Sequence, residues 1–191
     1  MIIEVFKNLV CIFGLIFISP CLIFIGLLIL FEDGFPILFF QERYGINKTV
    51  FRIYKIRTLK KDAPQLGSHE IDNKYKLFSG TIARNLKFDE FPQLINVLKG
   101  DINLIGPRPG LLTQELLEKA RSRNGVFKIK PGITGLGQIL GFDMSDPQKL
   151  AEIDKIYIDN QSKKIDIMIM LGTFFKFPRK HLASKLNINY N

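Results

Sequence analysis

Apolar residues are concentrated at the start of the chain. Residues 9–31 form a run of 23 positions without a charged side chain. As a straight helix this run would be about 34 Å long, enough to cross the roughly 30 Å hydrocarbon core of a bilayer. A signal peptide is the alternative, but its apolar core is shorter and ends at small residues, whereas this run ends at Phe31-Glu32-Asp33. The pattern therefore predicts a membrane helix that is not cleaved.

Ser19-Pro20 lies at the midpoint of the apolar run. Pro20 has no amide hydrogen, so the carbonyl of Ile16 loses its helical partner and the proline ring crowds the preceding turn. The Ser19 hydroxyl can bond a freed carbonyl of that turn, which makes a bend tolerable in lipid. Two structures fit: a kinked helix that crosses the membrane, or a broken helix that reaches about 15 Å deep before the chain returns. Composition alone favours the crossing helix.

The middle of the chain alternates between short apolar segments and turns. Residues 37–57 resemble two short strands around a turn, and residues 58–80 are polar and predict a long loop. A helix follows, with Pro92 in its first turn and Gly100 at its end. The apolar residues expected on the buried side of this helix are Leu94, Ile95, Val97 and Leu98.

Further helices are predicted in the second half. Residues 111–123 form a charged helix, and another helix begins near Asp146-Pro147. The stretch 165–182 is apolar and then basic, as in a helix lying at a membrane interface or in a core helix with a basic tail. The predicted fold class is α+β, mostly helical with a small β-hairpin or sheet.

Charge is distributed as unevenly as the apolar residues. The net charge is +9, but residues 41–191 hold 26 of the 27 Lys and Arg residues and 15 of the 18 Asp and Glu residues, a net charge of +11. This basic part is expected on the cytoplasmic side, facing anionic membrane lipids. Binding of nucleic acid is not predicted, because the aromatic residues are mostly Phe in apolar contexts and not stacking platforms beside basic residues.

The adjacent acids Asp89 and Glu90 stand where the helix with Pro92 begins. Such a pair is common at a helix N-terminus, where it caps the helix. The same helix-end N–H groups can also keep a carboxylate ionised as a nucleophile or a metal ligand, and hard oxygen ligands suit Mg²⁺. Two His and two Cys are too few for a His/Cys zinc site, so carboxylates are the expected metal ligands.

Basic residues near the acid pair predict an anionic substrate. Arg108 lies between two prolines, which limit its backbone freedom, and could bind a phosphate through two N–H groups or pair with a structural acid. Lys55 and Arg57 alternate on the second predicted strand, as on a solvated face or at a phosphate site. Arg84 precedes Asp89 by five residues.

Together these motifs resemble the bacterial sugar transferase family, the monotopic phosphoglycosyl transferases, in its minimal catalytic form. The matching segments, in chain order, are Ser19-Pro20, Arg43-x-Gly45, Phe51-x-x-x-Lys55-x-Arg57-Thr58, residues 89–101, Gly106-Pro107-Arg108-Pro109, Pro131-Gly132-Ile133-Thr134-Gly135 and Asp154-x-x-Tyr157. Two departures stand out. Leu59 replaces a common Met, and Phe142 follows Gly141 where the family often has Arg.

The resemblance implies transfer of a sugar 1-phosphate from a UDP-sugar to a polyprenyl phosphate such as undecaprenyl phosphate, in O-antigen, capsule or exopolysaccharide assembly. Asp89 would be the nucleophile that forms an aspartyl-phosphosugar intermediate, and Glu90 would bind Mg²⁺ beside Asp89. The substrate phosphates would be bound by Arg84, Arg108, Lys55 and Arg57. An N-acetylated or 6-deoxy amino sugar is the expected substrate, with a hexose as the alternative, and a homodimer is left open.

The resemblance also reverses the preference for a crossing helix. It implies a re-entrant membrane anchor at residues 1–36, broken at Ser19-Pro20, and a catalytic domain at residues 37–191 that lies on the membrane through interfacial amphipathic helices. The protein is then expected at the cytoplasmic face of the bacterial inner membrane. The non-enzymatic alternative is a basic membrane adaptor of a glycan-assembly complex, which would tolerate changes of Asp89 and Glu90.

Overall fold

A computed structural model describes residues 2–64 and 71–189, with side chains from residue 4 onward. The chain divides into two compact units. Unit 1 consists of Met1–Gln41 and Arg52–Lys99, and unit 2 consists of Glu42–Phe51 and Gly100–Asn191. The predicted division into an anchor at residues 1–36 and a catalytic domain at residues 37–191 stays a prediction.

Unit 1 begins with one long helix, α1 (Ile2–Asp33), which contains Pro20. The Ser19 hydroxyl donates a hydrogen bond of 2.8 Å to the carbonyl of Ile16, the group that Pro20 leaves without an amide donor. The hydrogen bond predicted for Ser19 is therefore present, and its role in a bend within lipid stays a prediction. The expected break at Ser19-Pro20 is not seen as a helix end, because helical conformation continues through both residues.

Helix α1 exposes most of its apolar surface. Phe17 and Phe31 are 85% and 86% exposed. Within residues 2–64 and 71–189, α1 is the one helix whose length and composition would allow it to cross a membrane. The apolar run thus forms the helix that its length predicts.

The remaining elements of unit 1 pack along α1, in its first half as well as in its second. Strands β1 (Leu38–Tyr44) and β2 (Val50–Ile56) form the predicted hairpin, whose tip belongs to unit 2. Helices α2 (Phe78–Asn85) and α3 (Gln93–Lys99) both contact α1. The buried apolar core of unit 1 consists of Ile25, Ile29, Ile56, Leu77 and Ala83.

Two predictions for this region need correction. The loop predicted at residues 58–80 ends three residues early, because α2 begins at Phe78, and residues 65–70 of it lie outside the described part. Helix α3 has the predicted ends but a different buried side: Ile95 is 40% exposed, whereas Asn96 is 0% exposed. The amide of Asn96 has hydrogen-bond partners on a neighbouring strand, which apolar periodicity does not reveal.

In its described residues, unit 2 combines a small parallel sheet with five α-helices. Its elements are β3 (Asn103–Ile105), α4 (Glu115–Arg123), β4 (Gly132–Thr134), α5 (Leu136–Ile139), α6 (Pro147–Asp159), α7 (Lys163–Gly172) and α8 (Lys176–Lys185). Strands β3 and β4 are parallel, with Asn103 opposite Gly132. The predicted start of α6 is confirmed, since the Asp146 carboxylate accepts the Lys149 N–H at 3.0 Å.

The apolar-then-basic stretch at residues 165–182 forms parts of two helices, α7 and α8. Their inner sides join the core of unit 2 through Ile165, Ile169 and Leu182, which are at most 3% exposed. Large apolar residues at and around the turn between them are 43–79% exposed; they are Met170, Leu171, Phe174, Phe175 and Phe177. The stretch therefore supplies both a core face and an exposed apolar surface.

Candidate functional site in unit 1 and the Arg108 loop in unit 2

Asp89 and Glu90 lie in a short 3-10 turn, Phe88–Glu90, directly before α3. The turn follows Lys87, whose left-handed backbone (φ 58°) reverses the chain after α2. Both acids are partly buried. The Lys55 ammonium on β2 donates to the Glu90 carboxylate at 3.1 Å, and these side chains are only 14% and 19% exposed. The structure thus brings together one predicted base and the predicted acid pair.

Arg84 is placed by close packing of α2 on the chain after β2. A Cβ atom at Gly80 would overlap the backbone of Thr58, so only glycine allows this approach. One helical turn later, Arg84 Nε donates to the Thr58 hydroxyl at 2.8 Å. Arg84 is thereby fixed near the beginning of the loop that follows β2, and its predicted phosphate-binding role stays a prediction.

Arg57 directly follows β2, which ends at Ile56, and makes different contacts from Lys55, which lies on that strand. Its guanidinium is bonded to the Asp33 carboxylate and to the carbonyls of Gly34, Pro36 and Leu59. Arg57 is 5% exposed. In this structure Arg57 ties β2 to the end of α1, and phosphate binding by Arg57 is an untested prediction.

Asn96 is the residue of this region that the sequence prediction missed. Its amide bonds both a backbone N–H and a backbone carbonyl of β2, which attaches α3 to that strand. Lys99, one turn later, donates to the Tyr54 hydroxyl at 3.0 Å. The available signal was an amide residue inside the apolar run of residues 94–98, which needs hydrogen-bond partners if the helix packs closely.

Arg108 lies in unit 2, on the loop between β3 and α4. Backbone hydrogen bonds from Gly106 to Thr134 (3.0 Å) and from Gly132 to Pro107 (2.9 Å) join the loop to β4. A Cβ atom at Gly132 would overlap the backbone of Gly106, so glycine is required for this contact. Gly132 and Gly135, where a Cβ atom would in each case overlap the backbone of Gly106, thus allow close packing of these two chain segments.

Two arginines, Arg121, which is buried, and Arg43, which is partly buried, donate hydrogen bonds to carbonyls of the same loop. Arg121 Nη1 donates to the Arg108 carbonyl at 2.7 Å, and Arg43 Nη1 donates to the Pro109 carbonyl at 3.1 Å. Arg121 also donates through Nε and Nη2 to Asp154 Oδ2, at 2.9 and 2.7 Å. Burial raises the pKa of Asp154, and the positive charge of Arg121 opposes that shift. Neither arginine pairing was predicted from sequence.

The acid pair suits one kind of metal ion. Among the described residues, no group of three or more His, Cys, Asp or Glu side chains could form a closed metal cage. Mg²⁺ does not need such a cage, because it commonly uses one or two carboxylates and completes its shell with water and substrate phosphates. Asp89 and Glu90 therefore fit Mg²⁺ in the presence of a phosphorylated substrate.

Comparison with known proteins gives consistent matches. The model of the family described as bacterial sugar transferase matches residues 1–180. The uncharacterized sugar transferase EpsL of Bacillus subtilis (strain 168) is 36% identical over 175 residues, which covers 91% of this chain and 85% of EpsL.

Two relatives carry names that state an activity. The UDP-N-acetylgalactosamine-undecaprenyl-phosphate N-acetylgalactosaminephosphotransferase of Aeromonas hydrophila is 35% identical over 81% of this chain and 38% of the relative. The UDP-glucose:undecaprenyl-phosphate glucose-1-phosphate transferase of Escherichia coli (strain K12) is 33% identical over 85% of this chain and 37% of the relative. The chain thus spans well under half the length of these two relatives. With a family match over nearly all of its residues, this chain belongs to the bacterial sugar transferase family.

Proposed function

We propose that this chain transfers a sugar 1-phosphate from a UDP-sugar to undecaprenyl phosphate, as an early step of polysaccharide assembly. The proposal is carried by one observation, the partly buried Asp89-Glu90 pair whose Glu90 is bound by Lys55, in a chain with relatives named as UDP-sugar phosphotransferases. An anionic donor and an anionic acceptor both suit a site that contains basic side chains beside the acids. The alternative of a non-catalytic adaptor is not favoured by these relatives.

The reaction is proposed to proceed in two steps. An Asp89 carboxylate oxygen attacks the β-phosphorus of the UDP-sugar, a phosphorus–oxygen bond to Asp89 forms, and the bond to the bridging oxygen breaks, which releases UMP. A phosphate oxygen of undecaprenyl phosphate then attacks the same phosphorus. The bond to Asp89 breaks, the carboxylate is restored, and undecaprenyl diphosphate-sugar is released.

The other residues are proposed to control charge around the transferring phosphorus. Lys55 holds Glu90 and lies beside the acids, so its ammonium can share its hydrogen bonds with a substrate phosphate. Arg84 and Arg108 are the proposed phosphate ligands, together with Lys55 and Arg57. Asp89 and Glu90 would hold Mg²⁺, which when bound neutralises negative charge on the phosphates.

Membrane placement is proposed from two exposed surfaces, each within its own unit. In unit 1, α1 would form the re-entrant anchor, and the hydrogen bond from Ser19 to the carbonyl of Ile16 would support a bend at Pro20. In unit 2, exposed Phe174, Phe175 and Phe177 lie among basic residues of α7 and α8, a composition that suits the lipid interface. This arrangement would put the protein on the cytoplasmic face of the bacterial inner membrane.

The decisive variant is Asp89→Asn, which removes the nucleophile and nearly preserves side-chain shape. UMP release would be measured with undecaprenyl phosphate and a panel of UDP-sugars that includes UDP-N-acetylgalactosamine and UDP-glucose. We expect loss of at least about 1,000-fold in turnover, with membrane association unchanged. Asp62→Asn, on an exposed carboxylate, is the matched control and should keep full activity.

The intermediate has its own test. Without undecaprenyl phosphate, the wild-type protein should release a burst of about one UMP per active site and then stop, as expected for a covalent intermediate. Asp89→Asn should give no burst. Full turnover in Asp89→Asn would contradict the mechanism, and retained glycan assembly with this variant would favour the adaptor.

A further inference from the structure

We propose that Asn96 is a positioning residue of the transferase site, which holds Glu90 against Lys55 by attaching α3 to the free edge of β2. This inference rests on the proposed function, because it assigns a further residue to the same site. It concerns contacts made entirely within unit 1. Asn96 itself is not proposed to touch the substrate.

The side-chain amide of Asn96 forms the two hydrogen bonds with β2 that the backbone of a neighbouring strand would form. Its oxygen accepts the Tyr54 N–H at 3.0 Å, and its nitrogen donates to the Arg52 carbonyl at 2.8 Å. In a β-strand the N–H and C=O groups of residues two apart point to the same edge. Since β2 pairs with β1 alone in its two-stranded sheet, these two groups belong to the edge that β1 does not use.

Burial makes the two bonds obligatory for this packing. Asn96 is 0% exposed, and a buried amide is tolerated only when its polar atoms are hydrogen-bonded. Apolar contacts between a helix and a strand tolerate sliding, because they are not directional. Two short hydrogen bonds from one planar amide fix both the distance and the register of α3 along β2.

The same two chain segments carry the site. Lys55 directly follows Tyr54, and Glu90 lies in the turn that leads into α3. The contact between Lys55 and Glu90, at 3.1 Å, therefore spans the junction that Asn96 fixes. A displacement of about 1 Å at this junction would break the contact, and misplacement on that scale can lower the rate of an enzyme about 100-fold.

The first experiment measures this coupling without any substrate. Melting temperatures of Lys55→Met, Glu90→Gln and the double variant would be compared in the wild-type chain and in Asn96→Leu. In the wild-type chain we expect the two changes to be non-additive by about 2–4 °C, because they remove one shared contact. In Asn96→Leu the non-additivity should vanish, and unchanged non-additivity would overturn the proposal.

Asn96→Asp is the second variant, for the case that Asn96→Leu does not fold. Aspartate keeps an acceptor for the Tyr54 N–H but loses the donor to the Arg52 carbonyl and places an oxygen opposite it. It should therefore also abolish the non-additivity. If Asn96→Asp preserves the non-additivity of the Lys55 and Glu90 changes, the two hydrogen bonds from Asn96 to β2 do not position the site, and the proposal is wrong.

The second experiment measures catalysis. With UDP-N-acetylgalactosamine or UDP-glucose, whichever gives UMP release, Asn96→Leu should lower kcat about 10- to 100-fold and change the KM of the donor by less than about threefold. In a chain that already carries Lys55→Met, adding Asn96→Leu should lower kcat little further, because the contact between Lys55 and Glu90 is already absent.

Val97→Ala is the matched control, because Val97 is the next residue of α3 and is 1% exposed. It should lower the melting temperature through a cavity but keep kcat. An equal loss of kcat in Val97→Ala would show that any loosening of α3 suffices, and would overturn a specific role of Asn96. If the wild-type chain releases no UMP at all, the proposed function fails, whereas the melting experiment still decides what Asn96 holds.

Discussion

Two arginines are almost completely buried, Arg57 in unit 1 and Arg121 in unit 2, and they are stabilised in different ways. Arg57 is 5% exposed and Arg121 is 2% exposed. Arg57 spreads its hydrogen bonds over one carboxylate and three backbone carbonyls, whereas Arg121 directs two of its N–H groups to one carboxylate oxygen and one to a carbonyl.

The carboxylate partners explain the difference. The side chain of Asp33 is 25% exposed, so water can solvate it if Arg57 is removed. The side chain of Asp154 is 3% exposed, so Arg121 is the group that compensates its charge. The two arginines are therefore similarly buried but have different roles. Arg57 donates hydrogen bonds to backbone carbonyls on either side of β1 and β2. Arg121 neutralises the buried Asp154 carboxylate and also donates to the Arg108 carbonyl.

The largest expected effect is that of Arg121→Met. It leaves the buried Asp154 carboxylate without a counter-charge, and we expect the free energy of unfolding to fall by about 3–5 kcal/mol. Denaturant unfolding in detergent would measure this loss. The double variant Arg121→Met/Asp154→Leu should recover most of it, since no charge remains buried. If the double variant is as unstable as Arg121→Met, packing and not charge explains the difference between the two arginines.

The pH dependence of the stability of Arg121→Met tests whether the uncompensated charge of Asp154 causes the loss. Burial raises the pKa of Asp154, and removal of Arg121 takes away the charge that opposes this shift. The folded state of the variant then binds a proton that the unfolded state releases, so its stability is greatest at low pH and falls as the pH rises. We expect the loss relative to wild type to shrink as the pH is lowered from 8 towards 5.

A smaller effect is expected for Arg57→Lys. Lysine keeps the charge near Asp33 but cannot reach three carbonyls at once, so we expect a loss of about 1–3 kcal/mol. The corresponding change at the other site, Arg121→Lys, keeps the counter-charge of Asp154 and should recover part of the loss seen with Met. Equal recovery by lysine at both sites would contradict the proposed contrast, and the same unfolding experiment measures it.

The smallest effect concerns a partly exposed ion pair of unit 2, between Lys48 and Glu118. Their side chains are 47% and 21% exposed, so Glu118→Gln should cost less than about 1 kcal/mol and even less in high salt. The hydrogen bond from Lys48 lowers the pKa of Glu118. The contribution is thus present at neutral pH and is lost as the pH falls through that lowered pKa. An effect as large as that of Arg121→Met would contradict the dependence on burial.

Local signals in the sequence predicted much of the fold. Pro92 and Gly100 mark the ends of α3, Asp146 caps α6, and the hairpin strands surround a glycine turn. Each of these signals acts within a few residues, so the sequence around it contains the whole cause. The long apolar helix is predictable for the same reason.

Features that depend on distant partners were not predicted. Strands β3 and β4 have three residues each, and they pair through the close approach of Gly106 to Gly132. The burial of Asn96 depends on a strand edge more than 40 residues earlier in the chain. For the candidate site, the motif predicted the acids and bases, but the separate uses of Lys55 and Arg57 follow from the position of Asp33.

The hydroxyl of Ser19 gives α1 a property that concerns assembly. A bend made by proline in lipid normally needs a donor from a neighbouring helix or from water to satisfy the freed carbonyl. Here the donor is the residue directly before the proline, and the bond lies within a single turn. The carbonyl of Ile16 is therefore satisfied within α1 itself, so this hydrogen bond can form before the rest of the chain has folded.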